Sequence, residues 1–416
     1  MSTYLLEPMD TQFYRSTLPF DAGSDGHTET LCFPWPRTLY GAVRALAFSD
    51  CTAFTIGKTM PPTTISKCWG DWYQSGSTII KGPVLFRKNN GFSDILLPMP
   101  ADLVLDKDRQ KKIYRCAPDE KTKLEDFSDC QEHPGLCRIK ISDTNSIKCK
   151  SGENIFFLLN DDVQTGEILK KYLTHDLHGD IDNNFLKCDN VLISEKKIGI
   201  KRSGKTHASE EGFLFTASHY RLNSQPDEDV FGYWFQIVDN PPPALPVNRF
   251  LKLGGENRLM KITCVDNGDN LDSRWTINFK DAVIQKIINN DGRFKLYLIT
   301  PGIFEHGRSY PSNFIISDGK IIYQTNGHKS QLIGMSINQH EMVGGWNIVK
   351  KCPKALDAAV PSGSVYFFKI ENWPKDSTEK EITANFWFDH FNFNSICSGE
   401  PAKEGFGITL TGGWHV

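Results

Sequence analysis

EPMDTQFYRSTLPFDAGSDGHTETLCFPWPRTLYGAVRALAF, Glu7 to Phe48, is the stretch from which the rest of the chain is read. Just ahead of it, Tyr4-Leu5-Leu6 begins a strand. Pro8 has no amide proton to give a ladder, so this strand soon ends, lies at an edge or bulges. A long polar loop follows. In FPWPRT, Pro34 and Pro36 hold the residues before them extended, and Thr38 offers a hydroxyl to cap the free amides of a helix. That helix is LYGAVRALAF. Leu39, Ala42, Val43 and Leu46 recur at three-to-four spacing as one apolar stripe, and Arg44 falls off it. Gly41 inside the helix costs about 1 kcal/mol relative to alanine, which points to close approach by another backbone or a ligand.

A chain of 416 residues, 39% of them hydrophobic, has room for about two or three domains with cores of their own. No apolar run is long enough to cross a bilayer, and MSTYLLEPMD lacks a basic segment followed by an apolar core, so the expected location is cytoplasmic. Eleven cysteines, an odd number in a long chain, fit reduced thiols better than a disulfide framework. Lysine and arginine total 47 against 50 aspartates and glutamates. That balance argues against a protein that binds nucleic acid alone, which usually carries a basic excess. It permits one local basic surface within a larger assembly.

The opening strand, loop and helix, with these residues, resemble the start of the third Cmr-type RAMP subunit of type III-B CRISPR effector complexes. Further strings recur in the family's order: EEGFLF at 210–215, LGGENR at 253–258, LYLITPGIF at 296–304, GGWN at 344–347, AVPSGSVYFF at 359–368 and GFGITLTGGW at 405–414. The interior from about Asp106 to Lys187 does not share the resemblance.

KGPVLFRKN and FSDILLPMP read as strands joined through Asn89-Asn90-Gly91, a strong hairpin turn. Arg87 and Lys88 near its tip either touch RNA or keep a strand edge from pairing. Residues 106–150 are highly charged, with little apolar periodicity, and read as an insertion or long loop. GENIFFLLNDDVQTGEILKKYL, from Gly152, passes from an apolar run to a helical pattern with Ile168, Leu169, Tyr172 and Leu173 on one side. KIGIKRSGKTHASEEGFLFTASHYRL then gives strand, loop and strand. Lys196, Lys197, Lys201, Arg202 and Lys205 gather charge around its glycine-containing loop, as a solvated hairpin end or a phosphate contact.

DNPPPALPV, from Asp239, cannot continue a ladder or a helix and reads as a stiff connector between two halves, 1–240 and 248–416, the first holding an insertion near 106–187. Strands near LMKITCV, WTINF, KLYLITP and SVYFFKI, with a helix near DAVIQKIIN, complete an α+β pattern. The resemblance implies two ferredoxin-like (RRM-related) RAMP domains with inserted loops, the second ending in a glycine-rich loop.

Four constellations bear on chemistry. His27 sits in an early loop, where related RAMP endonucleases keep a histidine that deprotonates a ribose 2′-hydroxyl; a hydrogen-bonding or RNA-stacking role is the other reading. HDLHGDID, His175 to Asp182, looks like metal ligands, but Phe185 stands where a calcium loop needs glycine. Cys116, Cys130, Cys137 and Cys149 with His133 are candidate zinc ligands without a C-x-x-C pair. Asp161-Asp162 reads as a turn or helix cap. GFGITLTGGW has no lysine in Walker spacing and the chain no G-x-G-x-x-G, so nucleotide binding is unsupported; no cofactor, metal or catalytic residue is expected.

The resemblance therefore implies a non-catalytic RNA-binding and assembly subunit. It would hold the repeat-derived 5′ handle of the CRISPR RNA, dock on the large polymerase-like subunit and contact the first backbone RAMP subunit. The residues assigned to RNA are Arg15, His27, Arg37, Arg44, Arg202, Lys205, Gly405 and Gly407. For Arg15 and Arg44 the competing reading is a buried pairing with Glu7 or Asp10. The rival function is a metal-independent RAMP endoribonuclease with His27 as general base.

Overall fold

The computed structural model describes residues 2–17, 27–28, 30–49, 63–71, 74–89, 92–106, 112–123, 135–141, 149–151, 156–159, 167–177, 179–180, 185–224, 229–238, 245, 249–265, 279–347 and 349–415. It is an α+β structure dominated by antiparallel sheets.

β1 (Ser2–Pro8) lies in the middle of the first sheet. Its alternation sends Tyr4 and Leu6 to the side that buries Leu39, Tyr40 and Val43 of α1 (Pro36–Ser49), and Leu5 to a second core on the opposite side. Both faces of the strand are thus covered. α1 starts at Pro36, with Thr38 inside the first turn and its N–H donating to the Trp35 carbonyl. Proline fits there because no acceptor waits for its missing N–H. The stripe Leu39, Val43 and Leu46 is buried as the spacing requires. Gly41 behaves differently: it is exposed, and a Cβ would meet nothing within 4 Å, so no backbone among the described residues approaches it.

β2 (Ile79–Asn89) and β3 (Phe92–Pro98) form the hairpin read from Asn-Gly, in register from Leu85↔Leu96 to Asn89↔Phe92. Across it, Arg87 pairs with Asp94 at 2.8 Å, so its charge is matched within the hairpin. β4 (Leu192–Arg202) and β5 (Ser209–Leu222) make a second, longer hairpin joined to the two-residue strand His27–Thr28. β6 (Asp229–Val238) returns to the first sheet between β1 and β2.

The proline-rich connector does not lead out of this sheet. Beyond it, Phe250–Lys252 and β7 (Leu259–Val265) pair in the same sheet, β7 directly against β1 with Leu5 opposite Thr263. Prolines stiffen a segment and break a ladder, but they do not dictate where the chain goes next. Residues 241–244 and 275–278 lie outside the described residues, and with them most of WTINF.

The second sheet runs Phe314–Ser317, Lys320–Thr325, β9 (His328–Ser336), β10 (Val365–Ile370), β8 (Arg293–Leu298), β11 (Thr409–Gly413). The helices α2 (Lys280–Asn289) and α3 (Ser377–Phe391) cover one face, and α4 (Gly399–Glu404) follows. Phe294 stacks on Phe368 at 5.0 Å and on Trp387 at 5.3 Å, which locks α3 to the sheet.

The interior read as an insertion or loop is in part strand. Leu103–Asp106, Lys112–Lys123, Cys137–Ile141, Cys149–Ser151 and Gly179–Asp180 build a sheet of their own, and Phe156–Leu159 with Phe185–Lys187 extend the first one. Lys112–Lys123 buries Ile113, Tyr114, Cys116 and Ala117 in its first half only, and a register shift after Asp119 breaks the period in its charged second half. This sheet meets the second half through Asp102, whose carboxylate takes the Lys295 ammonium at 2.8 Å and the Tyr172 hydroxyl at 2.9 Å, with both charged side chains 1% exposed.

Candidate nucleic-acid interface

The hairpin of β4 and β5 carries the basic loop. Glu195, Lys197 and Gly199 oppose His219, Ala217 and Phe215, and this face turns toward the protein: Lys197 donates to the Thr11 hydroxyl at 2.8 Å. The opposite face of β4 presents Lys196, Ile198, Ile200 and Arg202 to solvent. At the tip, Ser203 N–H donates to the Ala208 carbonyl, and its Oγ accepts the N–H groups of Lys205 and Thr206, which shapes a tight turn. Arg202 donates to the His207 carbonyl at 3.1 Å, and Arg202 and Lys205 are exposed. The two charges therefore sit on a defined rather than a loose end. The Lys201 side chain lies outside the described residues.

The opening stretch divides. Arg15 is exposed and bridges Thr30 through its backbone. His27 runs parallel to Thr216 of the long hairpin, and its side chain lies outside the described residues. Arg37 is held inside the protein: its guanidinium donates to Glu404 at 2.9 Å and Asp357 at 2.8 Å and lies over the Phe406 ring. Burial of Glu404 raises its carboxyl above the usual range even with this cation beside it. With two carboxylates already engaged, Arg37 serves to tie α1 to the C-terminal segment and has no charge left for a phosphate. Arg44 donates to the Asp71 and Gln74 carbonyls and covers Phe48. Of the two acids in the competing reading, Glu7 and Asp10, the second is taken by Arg258 at 2.7 Å and Arg221 at 3.4 Å, and the Thr11 N–H, more than these cations, keeps the Asp10 carboxyl low.

Gly405 and Gly407 are buried. Gly405 ends α4 in the left-handed region at φ 102°, and a Cβ there would lie 2.4 Å from the Gly82 carbonyl oxygen. Gly407, at φ 72°, would meet Cys397 Sγ at 2.4 Å. The close approach these glycines permit, assigned to RNA in the sequence reading, is made here by this chain's own atoms.

A family model for the CRISPR-associated protein Cas_Cmr3 matches residues 4–414. The chain belongs to the Cas_Cmr3 family. It is thus a RAMP-type subunit of type III-B CRISPR effectors. Among solved structures, chains of the type III-B Cmr-beta complex bound to cognate target RNA are similar at 14% identity. In the state with AMPPnP the match covers 92% of each chain with a TM-score of 0.41; in the other state it covers 92% of this chain and 93% of that one with a TM-score of 0.43. A chain of the type III-A Csm3–Csm4 subcomplex is similar at 13% identity over 89% of this chain and 93% of that one, with a TM-score of 0.34. Comparison with curated proteins gives no match.

In this Cas_Cmr3 family member the described residues place only part of the metal candidates, Cys116, Cys137 and His175 among them. Cys116 and Cys137 are both buried, but Cys116 pairs with Ile141 and Cys137 with Lys123, several positions away along the ladder. Cys130, His133 and Asp161-Asp162 lie outside the described residues, as does the Cys149 side chain. No three histidines, cysteines or carboxylates among the described residues could hold a metal ion. His175 of HDLHGDID is 1% exposed and edge-on to His415 at 4.8 Å; burial holds its imidazole far below its ordinary pKa, so it is neutral. No described helix is long and apolar enough to cross a membrane.

The sequence reading missed two features. His219 is buried, stacked on Phe13 at 5.1 Å and 3.5 Å from the Thr11 hydroxyl, and burial lowers its pKa, so it fastens the opening loop to the long hairpin as a neutral ring. Trp346 of GGWN is exposed. Its signal was composition alone: a tryptophan followed four residues later by Lys350-Lys351 and then Lys354.

Proposed function

We propose that this chain is a non-catalytic CRISPR RNA-binding and assembly subunit of the cytoplasmic type III-B interference complex. It holds the 5′ handle of the guide RNA, docks on the large polymerase-like subunit and contacts the first backbone RAMP subunit, while the chemistry belongs to other chains. The observation that carries this reading is membership of the Cas_Cmr3 family over residues 4–414. Exposed Arg15, Arg202 and Lys205 supply phosphate contacts, and the loop around His27, tethered to the same hairpin, supplies contacts to splayed bases. Arg37, Arg44, Gly405 and Gly407 hold the frame on which these residues sit.

Each half is a ferredoxin-like domain in this reading. In the first, β7, β1, β6 and β2 lie side by side, the spatial order 4-1-3-2 of a βαββαβ unit, with α1 in the first crossover. In the second, β11, β8, β10 and β9 repeat that order, with α3 in the second crossover. The boundary then falls between 265 and 280, after β7 rather than in the proline-rich connector.

The test is a nuclease footprint on guide RNA in particles assembled with and without this chain. Protection of the 5′ handle is expected only when the chain is present, and weakens in Arg202→Ala/Lys205→Ala particles. Equal protection without the chain refutes the assignment. Cleavage of repeat RNA by the purified chain in EDTA, abolished by His27→Ala, would establish the endoribonuclease instead.

A further inference from the structure

We infer that the turn carrying Trp346 is a stacking platform for one base of single-stranded RNA, with Lys350, Lys351 and Lys354 receiving the flanking phosphates. This rests on the RNA-binding reading above and assigns it a site outside the opening stretch and the long hairpin.

Trp346 is 56% exposed, whereas Trp69, Trp234, Trp387 and Trp414 are at most 1% exposed. Single exposed apolar side chains are ordinary, so exposure is only the first step. The second is rigidity. Trp346–Asn347 pairs with Cys352–Pro353, Asn347 Oδ1 accepts the N–H groups of Val349 at 3.1 Å and Lys350 at 2.9 Å, and the Lys354 N–H donates to the Gly345 carbonyl at 2.9 Å. A ring on such a turn can receive a base with little ordering cost.

The third is anchorage to the opening stretch. A Cβ on Gly345 would lie 3.1 Å from Arg37 Cδ, and one on Gly344 would lie 3.3 Å from Thr17 Cγ2. The turn therefore sits directly on residues flanking the His27 loop, and Arg37 beneath it is fixed by its two carboxylates. The fourth is charge. Gly344 to Lys354 holds three lysines and no carboxylate, in a chain of net charge −3, and all three lysines are exposed. A protein-binding hot spot around a tryptophan is depleted of lysine at its centre, whereas aromatic faces beside cations suit single-stranded nucleic acid.

The experiment uses the assembled complex and a handle RNA with 2-aminopurine placed in turn at each handle position. In the wild type, one position is expected to be quenched. Trp346→Ala should abolish that quenching and weaken affinity by about 5- to 150-fold, the equivalent of about 1–3 kcal/mol for one stacked base, with Trp346→Phe restoring part of it. Lys350→Ala/Lys351→Ala should lower the slope of log affinity against log salt by about 1.4 while the quenching persists. If the wild-type complex protects its handle through this chain but Trp346→Ala changes neither quenching nor affinity, the platform is wrong and the RNA-binding reading stands. If Trp346→Ala instead releases another subunit with handle affinity intact, the indole is a protein contact and the inference is overturned. If no handle position contacts this chain at all, both fail.

Discussion

Replacing Lys295 by methionine tests how the two halves are joined. The ammonium lies 2.8 Å from Asp102 Oδ2 and 3.7 Å above the Tyr172 ring, and burial lowers its pKa despite the carboxylate beside it. At that separation, an effective dielectric of 20 gives an attraction of about 6 kcal/mol. Desolvating each ion costs several kcal/mol, so the intact pair is close to neutral. Among the described residues, Lys295→Met leaves the buried Asp102 carboxylate with only the Tyr172 hydroxyl to satisfy it, and the expected loss is about 3–5 kcal/mol. Against a total stability of about 5–15 kcal/mol this is a large fraction. Asp102→Leu should cost a similar amount by stranding the ammonium. The double variant removes both charges and orphans only the Tyr172 hydroxyl, so it should lie within about 1–2 kcal/mol of the wild type. Urea unfolding followed by tryptophan fluorescence gives all four corners of the cycle. Two results would refute the reasoning: single variants that each lose under about 1 kcal/mol, or a double variant that loses the sum of the two.

Gly41→Ala and Gly407→Ala should move the thermal midpoint in opposite directions. The first gains about 0.5–1 kcal/mol from helix propensity at an open surface, and the second loses at least about 2 kcal/mol to a left-handed alanine pressed on Cys397. Arg37→Ala should lose about 2–4 kcal/mol by leaving Glu404, whose side chain is 6% exposed, without its cation, and Arg37→Lys should recover only part because it cannot fork to two carboxylates. For His175, the folded pKa lies below the unfolded value of 6.5, so its contribution is fully present above pH 6.5. As the solution is acidified below that point the unfolded state binds the proton first, and stability falls by up to about 1.4 kcal/mol per pH unit until the folded value is reached. Chemical denaturation between pH 7 and pH 5 should show this slope, and His175→Phe should lessen it.

What could be read from the chain follows the range of the interaction concerned. The stripe of α1, the strand pairing that closes at Asn89↔Phe92 and the basic tip at Arg202 and Lys205 depend on neighbours within a few positions, and periodicity or turn chemistry reports them directly. Arg37 is the opposite case. Its partners Asp357 and Glu404 stand 320 and 367 positions away, so nothing local distinguishes it from a cation free to hold a phosphate. The same holds for β1, whose neighbours come from 229–238 and 259–265; the triple proline between them marks a break in the ladder but not the return of the chain to the same sheet. Glycine carries half of its message in sequence: a missing side chain at 405 and 407 is visible, but whether RNA or Cys397 and the Gly82 carbonyl occupies the space is decided by packing. Long-range burial therefore removes candidates that local pattern supplies. It leaves Arg15, Arg202, Lys205 and the lysines beside Trp346 exposed after the sheets close, and these are the cations that the proposals above assign to RNA.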